Sequence, residues 1–160
     1  MRLEDHLDSL ARIPLFAPLE PEALRLTAFS AERRVFRAGD VLFRHNDLAN
    51  EGFVVLSGSI ALDPSGHGAA PARIVRPPGL VGDLALITQN RRLATAIARE
   101  PSSVLRISRQ LFHRVLQEFP ASAERLRRSM SANLLQFTAE LTLLSKTRFG
   151  AAEDETPLTG

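Results

Sequence analysis

The residues best suited to chemistry lie in one short segment, which reads GDLALITQNRRLAT from residue 82 to residue 95. A glycine that opens a short apolar helical turn leaves backbone N–H groups at the start of the helix, where anions bind. Arg92 follows Asp83 by nine residues, and its planar guanidinium can return across the turn to bind a phosphate. Asp83, itself an anion, is better suited to accept a hydrogen bond from a sugar hydroxyl. The segment therefore predicts a nucleotide pocket.

No other group of residues has the spacing of a catalytic or metal site. The sequence contains no cysteine, which excludes disulfides, cysteine-ligated metals and thiol catalysis. It also lacks a Walker lysine motif, a nucleophile elbow and paired catalytic carboxylates. We therefore expect no enzymatic activity, no metal and no cofactor. The histidines lie far apart, at His6, His45, His67 and His113.

The charge balance does not indicate nucleic-acid binding. The formal net charge is only +2, although the sequence pI is about 10.3. The pI is high because the chain has no tyrosine or cysteine and Lys146 is its lone lysine, so almost nothing titrates between roughly pH 8 and 12. The arginines are scattered, no apolar run approaches the ~20 residues that span a bilayer, and the first residues include acids. We expect a cytoplasmic protein without membrane or direct nucleic-acid contacts.

The elements that must position this segment change character twice along the chain. Apolar residues at helical spacing predict two short helices within 1–29. Short β-type runs, separated by glycine and Asp/Asn turns, predict a small antiparallel barrel or jelly roll over 33–107. The pattern becomes helical again over 109–148, with Ser108 as an N-cap and a break at Pro120. The expected fold class is mainly β with flanking helices.

The last predicted helix has apolar residues at alternating steps of four and three. This spacing is typical of a coiled-coil seam, but a helix that packs on the core of its own domain explains it equally well. The residues that follow, 151–160, are short and acidic, and we expect them to be disordered. The seam consists of Met130, Leu134, Phe137, Leu141 and Leu144.

Segment 82–95 resembles the phosphate-binding cassette of cyclic nucleotide-binding domains, whose pattern is roughly Gly-Glu-Leu-Ala-Leu followed by Arg-x-Ala-Thr. The match needs no gap, and the resemblance extends over about 1–148. It includes IPLFAPLEPEAL near the start, the Arg-Ala-Gly-Asp turn at 37–40 and the strand pair at 53–62. The later helices resemble the catabolite-activator branch of this family. The resemblance implies a double-stranded β-helix, or jelly roll, with a long C-terminal helix.

The resemblance also implies roles for individual residues of the cassette. The backbone amides of Gly82, Leu84 and Ala85 would lie against the phosphate and the ribose. Asp83 would bind the ribose 2′-hydroxyl, and Arg92 would neutralise the cyclic phosphate. On this assignment, Arg92→Ala should abolish ligand binding and leave the melting temperature of the empty protein nearly unchanged.

Further residues are assigned to the base and its surroundings by the same resemblance. Leu93 occupies a position where a hydroxyl residue often favours guanine, so it indicates cAMP rather than cGMP as the ligand. Ala94 completes the Arg-x-Ala-Thr pattern and belongs to the same ligand-binding set. Phe137 would stack on the adenine, and Thr138 would hydrogen-bond the base or the ligand of a partner subunit.

We expect a regulatory domain in which ligand binding repositions the C-terminal helices and favours a homodimer or contact with an unknown protein partner. No helix-turn-helix follows Lys146, which disfavours direct action on DNA unless the sequence is a fragment. The alternative is a ligand-independent scaffold module, because Asp83 is one methylene shorter than the usual Glu and Arg91 stands where proline is common. A third possibility is a truncated regulator whose seam forms heterodimers with full-length relatives.

Overall fold

A computed structural model describes residues 3–65 and 73–132. The described chain begins with helices α1 (Leu3–Ala11) and α2 (Pro21–Ser30) and ends with helices α4 (Arg109–Glu118) and α5 (Pro120–Ala132). A short helix, α3 (Asp83–Ile87), lies among the strands. The strands are β1 (Glu32–Phe36), β2 (Val41–Phe43), β3 (Leu48–Ala49), β4 (Glu51–Ser57), β5 (Ile60–Asp63), β6 (Arg73–Val75), β7 (Gly79–Val81), β8 (Asn90–Arg91), β9 (Thr95–Ala98) and β10 (Ser102–Ser108).

The described strands form three antiparallel sheets. One four-stranded sheet has the order β1-β10-β4-β7, the other has the order β2-β9-β5-β6, and β3 pairs with β8. Apart from β5 and β6, paired strands are not consecutive in the sequence, as expected when a long hairpin folds over into a jelly roll. The predicted fold class, mainly β with flanking helices, is confirmed.

Strand β4 separates two apolar cores because its side chains alternate between the two faces of the sheet. Val54 and Leu56 pack in a cluster formed with the helices. Phe53 and Val55 point the other way and pack in a second cluster, inside the roll. The continuous apolar run of this strand thus reflects burial on both faces, and both clusters support the elements that carry the cassette.

Several local predictions are confirmed. The Ser108 hydroxyl accepts a hydrogen bond from the Leu111 amide at 3.0 Å, so Ser108 is the N-cap of α4. The chain leaves the helix after α4, and α5 begins at Pro120 as predicted. The sequence analysis missed the two-residue strands β3 and β8, which are too short to produce a pattern. No helix in the described part of the chain is long and apolar enough to cross a membrane.

The predicted seam is only partly covered by the structure. Met130 packs against the helical cluster, which favours the alternative of a helix on its own domain's core at that position. The other seam residues and the predicted acidic tail, 151–160, lie outside the described residues. The predicted base-contacting residues, Phe137 and Thr138, lie outside them as well.

Candidate functional site

Gly82 stands between β7 and α3, where the chain turns from strand to helix. Its φ of +86° lies in the left-handed region, which glycine adopts without steric cost. A Cβ at this position would lie 2.6 Å from Nη1 of Arg92 and 3.0 Å from the carbonyl oxygen of Glu51. Both the backbone conformation and the close packing therefore require glycine at the start of the cassette helix.

The Arg92 guanidinium is buried beside this glycine, and only 3% of the residue is exposed. Its Cζ lies 3.9 Å from the ring centroid of Phe43, in cation–π contact. Its Nη2 donates a hydrogen bond of 2.7 Å to the carbonyl of Glu51. The sequence analysis predicted that Arg92 returns to the helix start, and the structure places it there. The contacts with Phe43 and Glu51 fix the orientation of its fork.

The backbone of Arg92 is held equally firmly. Its N–H donates to the Asp47 carbonyl at 2.8 Å, and its carbonyl accepts from the Asn46 N–H at 2.8 Å. Asn46 has a φ of +75°, which asparagine tolerates better than most residues. Arg91 is exposed and donates to the Asn46 carbonyl at 3.0 Å. This turn and the β3–β8 ladder next to it position the arginine from both ends.

Asp83 is fully buried at the first residue of α3. Its Oδ1 accepts a hydrogen bond of 2.9 Å from the N–H of Leu84. The N–H of Ala85 donates to the Gly82 carbonyl at 3.1 Å. Both amides therefore donate within the turn in this structure, and their predicted contacts with a phosphate and a ribose stay a prediction.

The residues after Arg92 lead into the core of the roll. Leu93 is half-buried, whereas Ala94 is 1% exposed and packs in the second apolar cluster. The hydroxyl of Thr95 accepts a hydrogen bond of 2.9 Å from the His45 N–H. Segment 82–95 thus forms one continuous structure, in which Gly82 and Arg92 are in contact and Ala94 anchors the segment in the core.

The sequence analysis missed three residues that shape the site. Phe43 supports the Arg92 guanidinium, and the Glu51 carbonyl accepts from it. The third is Arg109, whose Nη1 donates to the carbonyls of Ala49 and Ala85. None of these residues belongs to a local motif, and backbone carbonyls leave no signal in the residue type. The one sequence signal for Arg109 was its place directly after the predicted N-cap Ser108, at the start of a helix, where a cation is unfavourable.

The side chain of Glu51, whose carbonyl binds Arg92, takes part in an ion-pair network. Arg106 forms an ion pair with the carboxylate of Glu51 and a longer one, 3.4 Å, with Glu32. The pKa of Glu32 is lowered, mainly by a hydrogen bond from Arg34. Within residues 3–65 and 73–132, no group of three or more His, Asp or Glu residues could hold a metal ion.

Comparison with known proteins places this architecture in a family. Residues 33–119 match the family model described as "Cyclic nucleotide-binding domain". This match covers more than half of the chain, and the chain belongs to the cyclic nucleotide-binding domain family.

Individual relatives agree with the family match. A solved cyclic nucleotide-binding-like protein from Brucella abortus is 40% identical, with a TM-score of 0.65, over 71% of this chain and 98% of that one. The solved N-terminal domain of a transcriptional regulator from Streptomyces coelicolor is 29% identical, with a TM-score of 0.72, over 79% and 90%. The cyclic AMP receptor protein of Thermus thermophilus is 28% identical over 82% of this chain, which spans 62% of that receptor's length.

Proposed function

We propose that this chain is a regulatory domain that binds a cyclic nucleotide, cAMP rather than cGMP, in segment 82–95. The observation that supports this most strongly is the buried guanidinium of Arg92, oriented by Phe43 and Glu51 beside the glycine that begins α3. A small anion at the start of α3 would meet a guanidinium that is already oriented, so little side-chain entropy would be lost on binding. Membership of the cyclic nucleotide-binding domain family supports the same ligand class.

Each cassette residue has a proposed role in this complex. Arg92 neutralises the cyclic phosphate. Asp83 rotates its carboxylate away from the Leu84 N–H and accepts from the ribose 2′-hydroxyl, which releases that N–H for the ligand. Gly82 allows the phosphate to approach the backbone closely. Leu93, half-buried and apolar, suits adenine better than guanine.

We propose that the domain carries out no chemistry and acts by a population shift. Phosphate binding tightens the turn between α3 and Arg92, and the helices that follow the roll adopt the arrangement compatible with the tightened turn. The changed helices then alter contact with a second copy or with a protein partner. Phe137 and Thr138 are proposed to complete the site at the base.

Isothermal titration calorimetry with cAMP, cGMP and 5′-AMP tests the proposal. We expect measurable binding of cAMP, weaker binding of cGMP and the weakest binding of 5′-AMP, which has an acyclic phosphate. Thermal shift should rank the three ligands in the same order. No heat and no thermal shift with either cyclic nucleotide at millimolar concentration would contradict the proposal.

A second candidate function is a ligand-independent scaffold module. The specific observation in its favour is that the Leu84 and Ala85 amides donate within the cassette and the Arg92 Nη2 group donates to the Glu51 carbonyl of β4. Asp83, in place of the usual Glu, has a shorter reach to a ribose. The scaffold predicts a stable domain that gives no heat with any of the three nucleotides, so the same titration separates the two functions.

The proposed dimer contact involves the seam of the last helix. Phe137→Asp should convert a dimer into a monomer in sedimentation velocity, because a carboxylate in an apolar seam is not compensated. Thr142→Asp, which adds the same charge outside the seam, is the control. An unchanged mass for Phe137→Asp would count against the seam as a dimer contact.

A further inference from the structure

Arg109, the first residue of α4, joins three parts of the chain. Its Nη1 lies 2.9 Å from the carbonyl oxygen of Ala49, 3.1 Å from that of Ala85 and 3.4 Å from that of Thr88. Its backbone N–H donates to the Asn50 carbonyl at 2.8 Å. One half-buried residue therefore connects the end of β3, the carboxyl end of α3 and the start of α4.

The position of Arg109 is unfavourable for α4 itself. A cation in the first turn of a helix opposes the helix dipole, and no acidic residue in that turn compensates for it. Ser108 already caps α4 through its hydroxyl. The guanidinium instead reaches the carboxyl end of α3, where carbonyls lack intrahelical partners and a cation is favourable. Arg109 thus serves the cassette rather than its own helix.

Arg109 also shares a backbone segment with the phosphate-binding arginine. The carbonyls of three consecutive residues accept from the two arginines: those of Ala49 and Asn50 from Arg109, and that of Glu51 from Arg92. If Arg92 moves toward an anion, it displaces the Glu51 carbonyl that it binds. The adjacent residue, Asn50, is bound by the backbone N–H of Arg109, so the displacement reaches the start of α4. The Arg109 guanidinium also donates to the carbonyl of Ala85, in the cassette helix α3.

We propose that Arg109 is the positioning residue that couples the cassette to α4, so that a change at Arg92 and α3 is transmitted to the start of the C-terminal helices. The coupling to ligand rests on the proposed function. The tie between α3 and α4 does not, because it consists of hydrogen bonds within the chain.

Hydrogen exchange of the ligand-free protein tests the tie directly. Arg109→Gln should speed amide exchange by about tenfold or more in both 83–92 and 109–118, because hydrogen bonds from a charged group to several carbonyls are lost. Arg114→Gln, which removes the same group from an exposed position of the same helix, should change neither segment. Unchanged exchange in 83–92 for Arg109→Gln would overturn the proposal.

Exchange with cAMP present tests the coupling. In the wild-type protein, the nucleotide should slow exchange in both 83–92 and 109–118. In Arg109→Gln, the slowing should persist in 83–92 and fall at least severalfold in 109–118, a separation that a purely structural role would not produce. Equal slowing of 109–118 in Arg109→Gln and in the wild type would overturn the coupling.

A conservative variant covers the case in which Arg109→Gln does not fold. Arg109→Lys keeps the charge but not the planar fork, so it should restore the fold and only part of the transmission to 109–118. If cAMP slowed exchange in 109–118 equally in Arg109→Lys and in the wild type, the contacts of the guanidinium with several carbonyls would not be needed for the coupling, and their proposed role would be overturned. If the wild-type protein binds no cyclic nucleotide, the proposed function fails, while the ligand-free comparison still decides whether Arg109 ties α3 to α4.

Discussion

The cassette residue Arg92 and the α5 residue Arg127 carry the same side chain in opposite surroundings. Arg92 is 3% exposed, lies on the ring of Phe43 and donates to a backbone carbonyl. The side chain of Arg127 is 66% exposed and pairs with Glu124 at 2.7 Å. Water screens the second charge and is almost excluded from the first. Each guanidinium lies 2.7 Å from its oxygen partner, so the exclusion of water, and not the distance, distinguishes the two contacts.

The largest contrast is expected between Arg92→Ala and Arg127→Ala. Arg92→Ala should reduce cyclic nucleotide affinity at least about a hundredfold, the scale of a lost charged hydrogen bond in a buried site. It should also lower the stability of the empty protein by roughly 1–3 kcal/mol, because the Glu51 carbonyl loses its donor. Arg127→Ala should change neither property. Calorimetry and thermal denaturation measure both.

This expectation revises the one drawn from the sequence, which left the melting temperature of the empty Arg92→Ala protein nearly unchanged. The contacts with Phe43 and Glu51 indicate that Arg92 supports the fold in addition to its proposed role toward the ligand. A normal melting temperature together with lost binding would return Arg92 to a purely ligand-directed role and weaken the contrast with Arg127.

The next effect separates backbone strain from crowding around Arg92. Gly82→Ala and Gly39→Ala impose the same strain, since the two glycines have φ of +86° and +91°. An added Cβ at 82 meets Arg92 Nη1 and the Glu51 carbonyl, whereas at 39 it meets nothing within 4 Å. Both variants should lose about 1–2 kcal/mol of stability. Only Gly82→Ala should also lose affinity, by about tenfold or more, and equal affinities would contradict the crowded site.

A smaller effect should come from the ring beneath Arg92. Phe43→Leu removes the cation–π contact, worth about 0.5–2 kcal/mol, and should weaken nucleotide binding about threefold to thirtyfold because the guanidinium is less well oriented. Phe36→Leu is the matched control, because Phe36 and Phe43 both contact Phe53 and only Phe43 lies against Arg92. Similar affinities for the two variants would show that the ring contributes only to packing.

The smallest effect is expected at the exposed ion pairs of α5. Hydrogen bonds from Arg127 and Arg128 lower the pKa of Glu124 to about 2. A depressed carboxyl pKa stabilises the fold above the unfolded-state value, near 4.5, and this contribution is lost as the pH falls toward 2. Titration of the Glu124 carboxyl by NMR should show a pKa below 4.5, with a shift reduced by solvent screening of the exposed pairs. Glu124→Gln should barely change the melting temperature at pH 7, and a large change would contradict strong screening.

Predictions that depend on neighbouring residues agreed best with the structure. Ser108 caps α4 and the break falls at Pro120, because capping and proline act within one turn of the chain. The apolar run of β4 predicted a buried strand, although not that its two faces belong to different cores. The sequence did not predict that the Leu84 amide donates to the Asp83 carboxylate and the Ala85 amide to the Gly82 carbonyl, and the contacts of both amides with a ligand stay a prediction.

By itself, the sequence determined the order of the elements, the helix start at Gly82 and the presence of an arginine able to return to it, because these depend on residue type and short spacing. Only the tertiary structure decided what surrounds that arginine. The Glu51 carbonyl is 41 positions away from Arg92, and the Arg109 guanidinium reaches Ala49 across 60 positions. Strand pairing brings these groups together, and a backbone carbonyl has the same chemistry in every residue, so no sequence pattern could have identified the ones that accept.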